Sequence, residues 1–198
     1  GMAVVNKKGF LSIHKSNGLV RDVFTQEEMV RLKGNTGIGH VRYPTAGTTS
    51  KYEAQPFYVN SPHGIVLVHN GNLINTAKLK DELIKNDKRH INTKSDSEVL
   101  INIFANSLKS NNTDELTEQN IFDAIKKLHE RVEGAYSVIL TVLGFGLIAF
   151  RDPHGIRPLV YGKKRHSNSR MFASESVALE CLGYSNIRDV KPGETIII

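Results

Sequence analysis

Short apolar, strand-like runs bounded by turn residues mark both ends of the chain, and apolar residues at helical spacing mark its middle. Residues 2–5 (MAVV) and 11–14 (LSIH) predict two short strands around a Lys7, Lys8, Gly9 turn. Thr25 and Glu28 have capping-box spacing and Gly34 stands where a C′ glycine belongs, which predicts a helix over 26–33. A strand-like run over 36–43 enters a Pro-, Thr- and Gly-rich loop; 56–60 and 64–68 then form a hairpin across Ser61, Pro62 and His63.

After His69, Asn70, Gly71 and Asn72 the spacing turns helical. A helix over 75–88 carries Leu79, Leu83 and Ile84 on its apolar side. A second begins at Ser95, boxed with Glu98, and carries Val99, Leu100, Ile103, Phe104 and Leu108. A third, over 120–132, turns Ile121, Ala124, Ile125 and Leu128 inward and stops at Gly134, with 107–119 as a connecting loop. Strand candidates follow over 135–143, 146–151, 159–162 and 171–174, then a short helix over 176–182 and a last strand over 194–198. Strands, then helices, then strands is not the alternation of a parallel βαβ sheet. It predicts an α+β fold of antiparallel sheets with helices segregated on the outside.

Composition narrows the class. A chain of 198 residues, 39% hydrophobic and 23% charged, fits one globular domain with a substantial core. No apolar run approaches membrane-spanning length and no signal-peptide pattern opens the chain, so a cytoplasmic protein without a membrane partner is expected. The net charge of +6 comes from lysines spread among acidic residues, not from a basic block interleaved with aromatics, which argues against nucleic acid. A single cysteine, Cys181, excludes an internal disulfide and a cysteine-based metal site; within VALECLGY it reads as a small buried hydrophobe.

Some motif matches carry no chemistry. Gly144, Gly146 and Ala149 fit G-x-G-x-x-A, but LIAFRD after them is a strand pattern, so they mark a hairpin turn and not a pyrophosphate cradle. The eight histidines lack metal-ligand spacing, and His40 and His69 are expected to be structural. No G-x-S-x-G elbow is present.

Three elements remain as candidate chemistry. Arg42, at the end of a strand and before a pliable loop, offers a planar fork for a carboxylate. Asn70 and Gly71, after the apolar run IVLVH, offer an amide and a backbone N–H of the kind an oxyanion hole needs. Asp96, in a helix's first turn, could take an ammonium group. Structural readings stand beside these: a surface ion pair for Arg42, a turn for Asn70 and Gly71, and a helix-dipole complement for Asp96.

The ordered motifs GIGHVRYPTAG, EAQPF, VHNGNL, SDSE, FRDPHGIRPL and FASES resemble the amidophosphoribosyltransferase family, in its N-terminal class II glutamine amidotransferase domain, an Ntn hydrolase. The resemblance covers nearly the whole chain and implies a four-layer αββα sandwich. It makes Arg42 of HVRY the binder of the glutamine carboxylate, Asn70 and Gly71 of HNGN the oxyanion hole, and Asp96 of SDSE the partner of the α-ammonium. RYPTAGTTSKYE resembles the family's glutamine loop, with Tyr43, Thr45 and Gly47 as flap candidates. Arg151, Asp152 and Arg157 are expected to hold the fold or an inter-domain contact and not to touch glutamine.

The implied activity is release of ammonia from glutamine to make 5-phosphoribosylamine from phosphoribosyl pyrophosphate in purine biosynthesis. The implied partners are glutamine, a phosphoribosyltransferase domain of the same protein and further copies of it. No cofactor or metal is expected in residues 1–198, with Mg2+ serving only the phosphoribosyltransferase domain. The family domain opens with Cys-Gly-Ile and an RGQD-like segment, whereas this chain starts at the following strand. The expectation is therefore a domain lacking its first strand and its N-terminal cysteine nucleophile, inactive by itself, with an exposed sheet edge. Another class II amidotransferase, or a non-catalytic domain that binds an amino acid or docks a partner, is the alternative.

Overall fold

The computed structural model describes residues 1–42, 50–109 and 115–198. Strand β1 (Met2–Val5) pairs antiparallel with β2 (Leu11–His14). Helices α1 (Val20–Val23) and α2 (Gln26–Arg31) follow, and β3 (Thr36–Gly39) returns to the other side of β1. A five-stranded antiparallel sheet is built from β4 (Phe57–Val59), β5 (Ile65–Leu73), β6 (Gly134–Val142), β7 (Gly146–Arg151) and β11 (Thr195–Ile197), in the order β11-β7-β6-β5-β4. Helices α3 (Thr76–Lys85), α4 (Asp96–Lys109) and α5 (Glu118–Arg131) lie between β5 and β6 in sequence. A third sheet has the order β10-β8-β9, from β8 (Val160–Lys164), β9 (Arg170–Ala173) and β10 (Tyr184–Asp189), with α6 (Ser176–Cys181) between its last two strands.

Strand periodicity explains the layering. On the large sheet Ile65, Leu67, Val138, Leu140, Ile148 and Phe150 point one way and join Leu79, Leu83, Leu100, Phe104, Ile121 and Leu128 of the three helices in the main core. Their neighbours Val66, Val68, Ile139, Leu147 and Ala149 point the other way. Val66 and Val68 meet Ala3 and Ile38 of the first sheet, and Ala149 meets Leu159, Tyr161 and Phe172 of the third, with Ile139 and Leu147 touching both groups. Register holds the alternation together, since Leu67 faces Leu140 and Val68 faces Ile139. Within β8, Tyr161 faces the large sheet while Gly162 faces α6: a Cβ at Gly162 would lie 2.5 Å from Leu179 Cδ2. Helices, large sheet, two smaller sheets side by side, and an outer helix make the four-layer αββα sandwich, with its second sheet layer divided in two.

Most elements fall where hydrophobic periodicity placed them, and the differences have local causes. Strand β5 runs on through His69, Asn70, Gly71 and Asn72, because β6 pairs with it along its whole length. Ile84 is exposed, so α3 buries only Leu79 and Leu83. Gly34 does not act as a left-handed helix cap. A Cβ there would lie 2.3 Å from the Val5 carbonyl oxygen, so close approach to β1 requires the glycine. Thr25 caps α2 through the Glu28 N–H, but the Glu28 carboxylate turns to His14 and Arg31 instead of closing the box. The Glu98 carboxylate similarly passes over Ser95 to the N–H groups of Asn92 and Thr93. Cys181 is exposed, not buried, because Leu179 is the residue that α6 turns inward.

Candidate active site

The site grows from the far half of β5. Its backbone is fixed at His69, whose N–H donates to Gln55 Oε1 at 2.6 Å while the Gln55 amide donates back to the His69 carbonyl at 2.9 Å. Both residues are buried, so the pair satisfies polar groups with no access to water. The next residues, Asn70 and Gly71, lie opposite Ser137 and Tyr136 of β6. Gly71 admits no side chain: a Cβ would sit 2.0 Å from the Ala135 carbonyl oxygen and 2.7 Å from His69 Nε2. Glycine is there because the two strands and the imidazole converge on that point.

The Asn70 side chain is held at both ends. Its oxygen accepts a short hydrogen bond from an Arg157 terminal nitrogen, and its nitrogen donates to Ser174 Oγ at 3.4 Å. Arg157 is carried by the loop between β7 and β8, which is organised around a fully buried carboxylate. Asp152 accepts from the backbone N–H groups of His154, Ile156 and Arg157, and from that of Tyr136 at 3.4 Å. Arg151 braces the same loop, donating to the carbonyls of Arg157, Gly155 and Val190. Arg151 and Asp152 thus hold the fold as expected, whereas Arg157 reaches the candidate site.

Asp96 opens α4 and joins the group from behind His69. Its Oδ2 accepts from the Leu73 N–H at 3.2 Å, and its Oδ1 lies 3.7 Å from His69 Nδ1, which also contacts Ser97 Oγ at 3.1 Å. Burial pushes the Asp96 carboxyl up, but hydrogen bonds from His69 and from the Leu73 and Ser97 N–H groups outweigh it and hold the group below its ordinary value. It is therefore an anion at neutral pH, with 23% of its side chain open to solvent.

Arg42 donates to Glu53 Oε2 at 3.2 Å. Glu53 is nearly buried while the Arg42 side chain is one-third exposed. A guanidinium has five N–H donors, and this contact uses one. Glu53 belongs to the EAQPF segment, whose Gln55 clamps His69 and whose Ala54 and Pro56 carbonyls both accept from Lys15 Nζ. One short segment thus links the arginine to the strand that carries Asn70.

Two cavities meet here. One, of about 420 Å³, is lined by Arg42, Ser50 and Gln55; the other, of about 560 Å³ between the sheets, by Asn70, Ser137 and Ser174. His40 and Val41 line both. The His40 imidazole is pushed down to about 4, first by burial and then by nearby positive charge such as the Arg42 guanidinium. Among the described residues, its Nδ1 and Nε2 of His69 have no hydrogen-bond partner. Both histidines line the cavity between the sheets, and the described residues contain no cluster of three metal-ligating side chains.

Arg42, Asn70, Gly71 and Asp96 are thereby brought into one connected neighbourhood. Tyr43, Thr45 and Gly47 lie outside the described residues. Sequence reasoning assigned no role to Glu53, Gln55, Ser97 or Ser174, and gave Arg157 a different one. The signal available for Glu53, Gln55 and Ser174 was their presence inside EAQPF and FASES, stretches with no other evident reason for their polar residues.

The chain belongs to the glutamine amidotransferase domain family, whose sequence profile matches residues 40–181. That span runs from the shared wall of the two cavities to the end of α6. Among curated proteins it is similar to amidophosphoribosyltransferases, with 52% identity over 200 residues to that of Pasteurella multocida and 52% over 201 residues to that of Escherichia coli. Each alignment covers 100% of this chain and 40% of the relative, so the chain spans about two-fifths of their length. Among solved structures it resembles the Bacillus subtilis glutamine phosphoribosylpyrophosphate amidotransferase complexed with ADP and GMP, at TM-score 0.79 and 31% identity over 100% of this chain and 40% of that one. The likeness in backbone and the αββα layering together make this an Ntn-hydrolase fold.

Proposed function

We propose that the chain is the ammonia-releasing part of an amidophosphoribosyltransferase, taking the side-chain amide of glutamine and delivering its nitrogen to phosphoribosyl pyrophosphate. The observation that carries this reading is the Asn70 amide, anchored through its oxygen at the wall of the cavity between the sheets, with Gly71 next in the strand and an ionised Asp96 accepting from the Leu73 N–H of that strand. Arg42 takes the glutamine carboxylate in a fork, and Asp96 takes the α-ammonium. A thiolate attacks Cδ of glutamine and forms a C–S bond, while the C=O electron pair moves onto oxygen. The Asn70 Nδ2–H and the Gly71 N–H donate to that oxyanion. As the carbonyl re-forms, the C–N bond breaks and nitrogen leaves as ammonia with a proton from the catalytic amine. Water then cleaves the thioester to glutamate and regenerates the thiol.

The thiolate comes from a cysteine other than Cys181, which is exposed at the end of α6 and lacks an adjacent α-amine to act as base. The 198 residues alone therefore release no ammonia, and the full-length protein does. The remaining length supplies the phosphoribosyltransferase domain, where a divalent cation holds the pyrophosphate. The full protein works as a homo-oligomer in the cytoplasm, and residues 1–198 need no cofactor.

The test is glutamine-dependent ammonia release by the full-length protein and its Asn70→Ala variant. Loss of one oxyanion donor costs about 2.7–4 kcal/mol of transition-state stabilisation, so turnover falls roughly a hundredfold or more with a smaller change in KM. An Asn70→Ala variant that turns over at the parent rate rules the assignment out.

A further inference from the structure

We infer that Arg157 is a positioning residue for the glutaminase step: it selects which end of the Asn70 side chain faces the reacting oxygen. The inference rests on the glutaminase reading and adds a residue to it. An asparagine amide can be turned over by half a rotation with little change of shape, which exchanges an acceptor for a donor. Only one of the two orientations can donate to an oxyanion; the other presents a carbonyl oxygen and repels it.

Arg157 decides between them because a guanidinium has donors and no acceptor. Whichever Asn70 atom faces it must be the oxygen, and Oδ1 does accept from an Arg157 terminal nitrogen. Nδ2 is then directed the other way, where its contact is Ser174 Oγ at 3.4 Å. A contact that long is weak, so the Arg157 bond and not the serine fixes the amide. Ser174 lines the cavity between the sheets together with Asn70, so the amide nitrogen is aimed where a ligand would lie.

The arginine is itself held firmly. Its backbone N–H donates to Asp152 Oδ2 at 3.1 Å, its carbonyl accepts from Arg151 Nε, and its Nε is buried without a partner among the described residues. Burying a guanidinium nitrogen unpaired is costly, and the fold does so while spending a terminal N–H on an exchangeable amide. The DPHGIR loop, remote in sequence from Asn70 by 87 residues, thus ends in a side chain whose reach sets the donor.

A double-mutant cycle in the full-length protein tests this, using Arg157→Met, Asn70→Ala and the pair, with kcat and KM for glutamine measured separately. Arg157→Met is expected to lower kcat about tenfold or more and to leave KM within about twofold, because the amide then samples its wrong orientation. In the Asn70→Ala background the same change is expected to cost little further. Independent, multiplicative losses, or an Arg157→Met enzyme at the parent kcat, overturn the inference. If Arg157→Met does not fold, as judged by its thermal unfolding midpoint, Arg157→Gln, whose amide presents an acceptor as well as a donor, is put through the same cycle with the same criteria. A parent protein that releases no ammonia overturns the glutaminase reading itself, an outcome separable from every result of the cycle.

Discussion

Gln55 and His69 exchange two hydrogen bonds, side-chain amide to backbone, at 2.6 and 2.9 Å in a buried setting. The exchange replaces the strand partner that β4 no longer supplies, since its pairing with β5 ends at Phe57 opposite Leu67. The backbone at the root of the Asn70–Gly71 pair is thus fixed by a side chain. Gln55→Met keeps the volume but leaves a buried N–H and a buried C=O without partners. The expected cost is about 2–4 kcal/mol of stability, read from the midpoint of urea unfolding at unchanged slope. A variant within about 0.5 kcal/mol of the parent shows that water reaches the His69 backbone and that the clamp is not structural.

Arg42 has two partners to serve, Glu53 within the protein and the proposed glutamine carboxylate. Arg42→Met removes both. Loss of a charge-assisted hydrogen bond of about 1.5–3 kcal/mol raises KM for glutamine roughly tenfold to a hundredfold, with a smaller change in kcat. Stability falls modestly as well, because Glu53 is 6% exposed and loses its cation. The discriminating companion is Glu53→Gln. It removes the internal ion pair while keeping the arginine, so it lowers stability without a comparable rise in KM. If Glu53→Gln raises KM as much as Arg42→Met, the ion pair orients the arginine and the two effects are one.

What the sequence revealed follows from how each signal arises. Helices α3 and α5 were legible because each buries one face and burial writes its period into the chain, whereas α4 and strands β5 to β7, buried nearly all round or on both faces, showed as apolar runs. Helix α1, with four residues and none buried, has no face to write. Strand β10 is interrupted by a register shift between Ser185 and Arg188 and by Asn186 at φ 51°, so its alternation is broken. At the site, Arg42, Asn70, Gly71 and Asp96 stood out by residue chemistry with structural readings beside them, and the motif resemblance then gave each its role. Gln55, Glu53 and Arg157 were opaque because their partners are 14, 11 and 87 residues away, and no local period encodes such contacts.

His40 sets the last expectation, which concerns acid. Its imidazole titrates near 4 in the folded protein against an ordinary 6.5, so between those values the unfolded chain holds a proton that the folded chain does not. Stability therefore falls as pH drops from 6.5 towards 4, by up to about 3 kcal/mol, and this contribution is flat above and below that window. Asp96 is shifted in the same direction from an ordinary 3.8, so its own contribution is lost only at lower pH and does not overlap. The side chains facing His40 are His69 and Arg42. Denaturant unfolding of the parent and of His40→Phe at several pH values between 7 and 4 separates the cases. The parent is expected to lose stability across the window and the variant to lose much less. Parallel curves mean that another group, and not this buried histidine, carries the acid sensitivity of the fold.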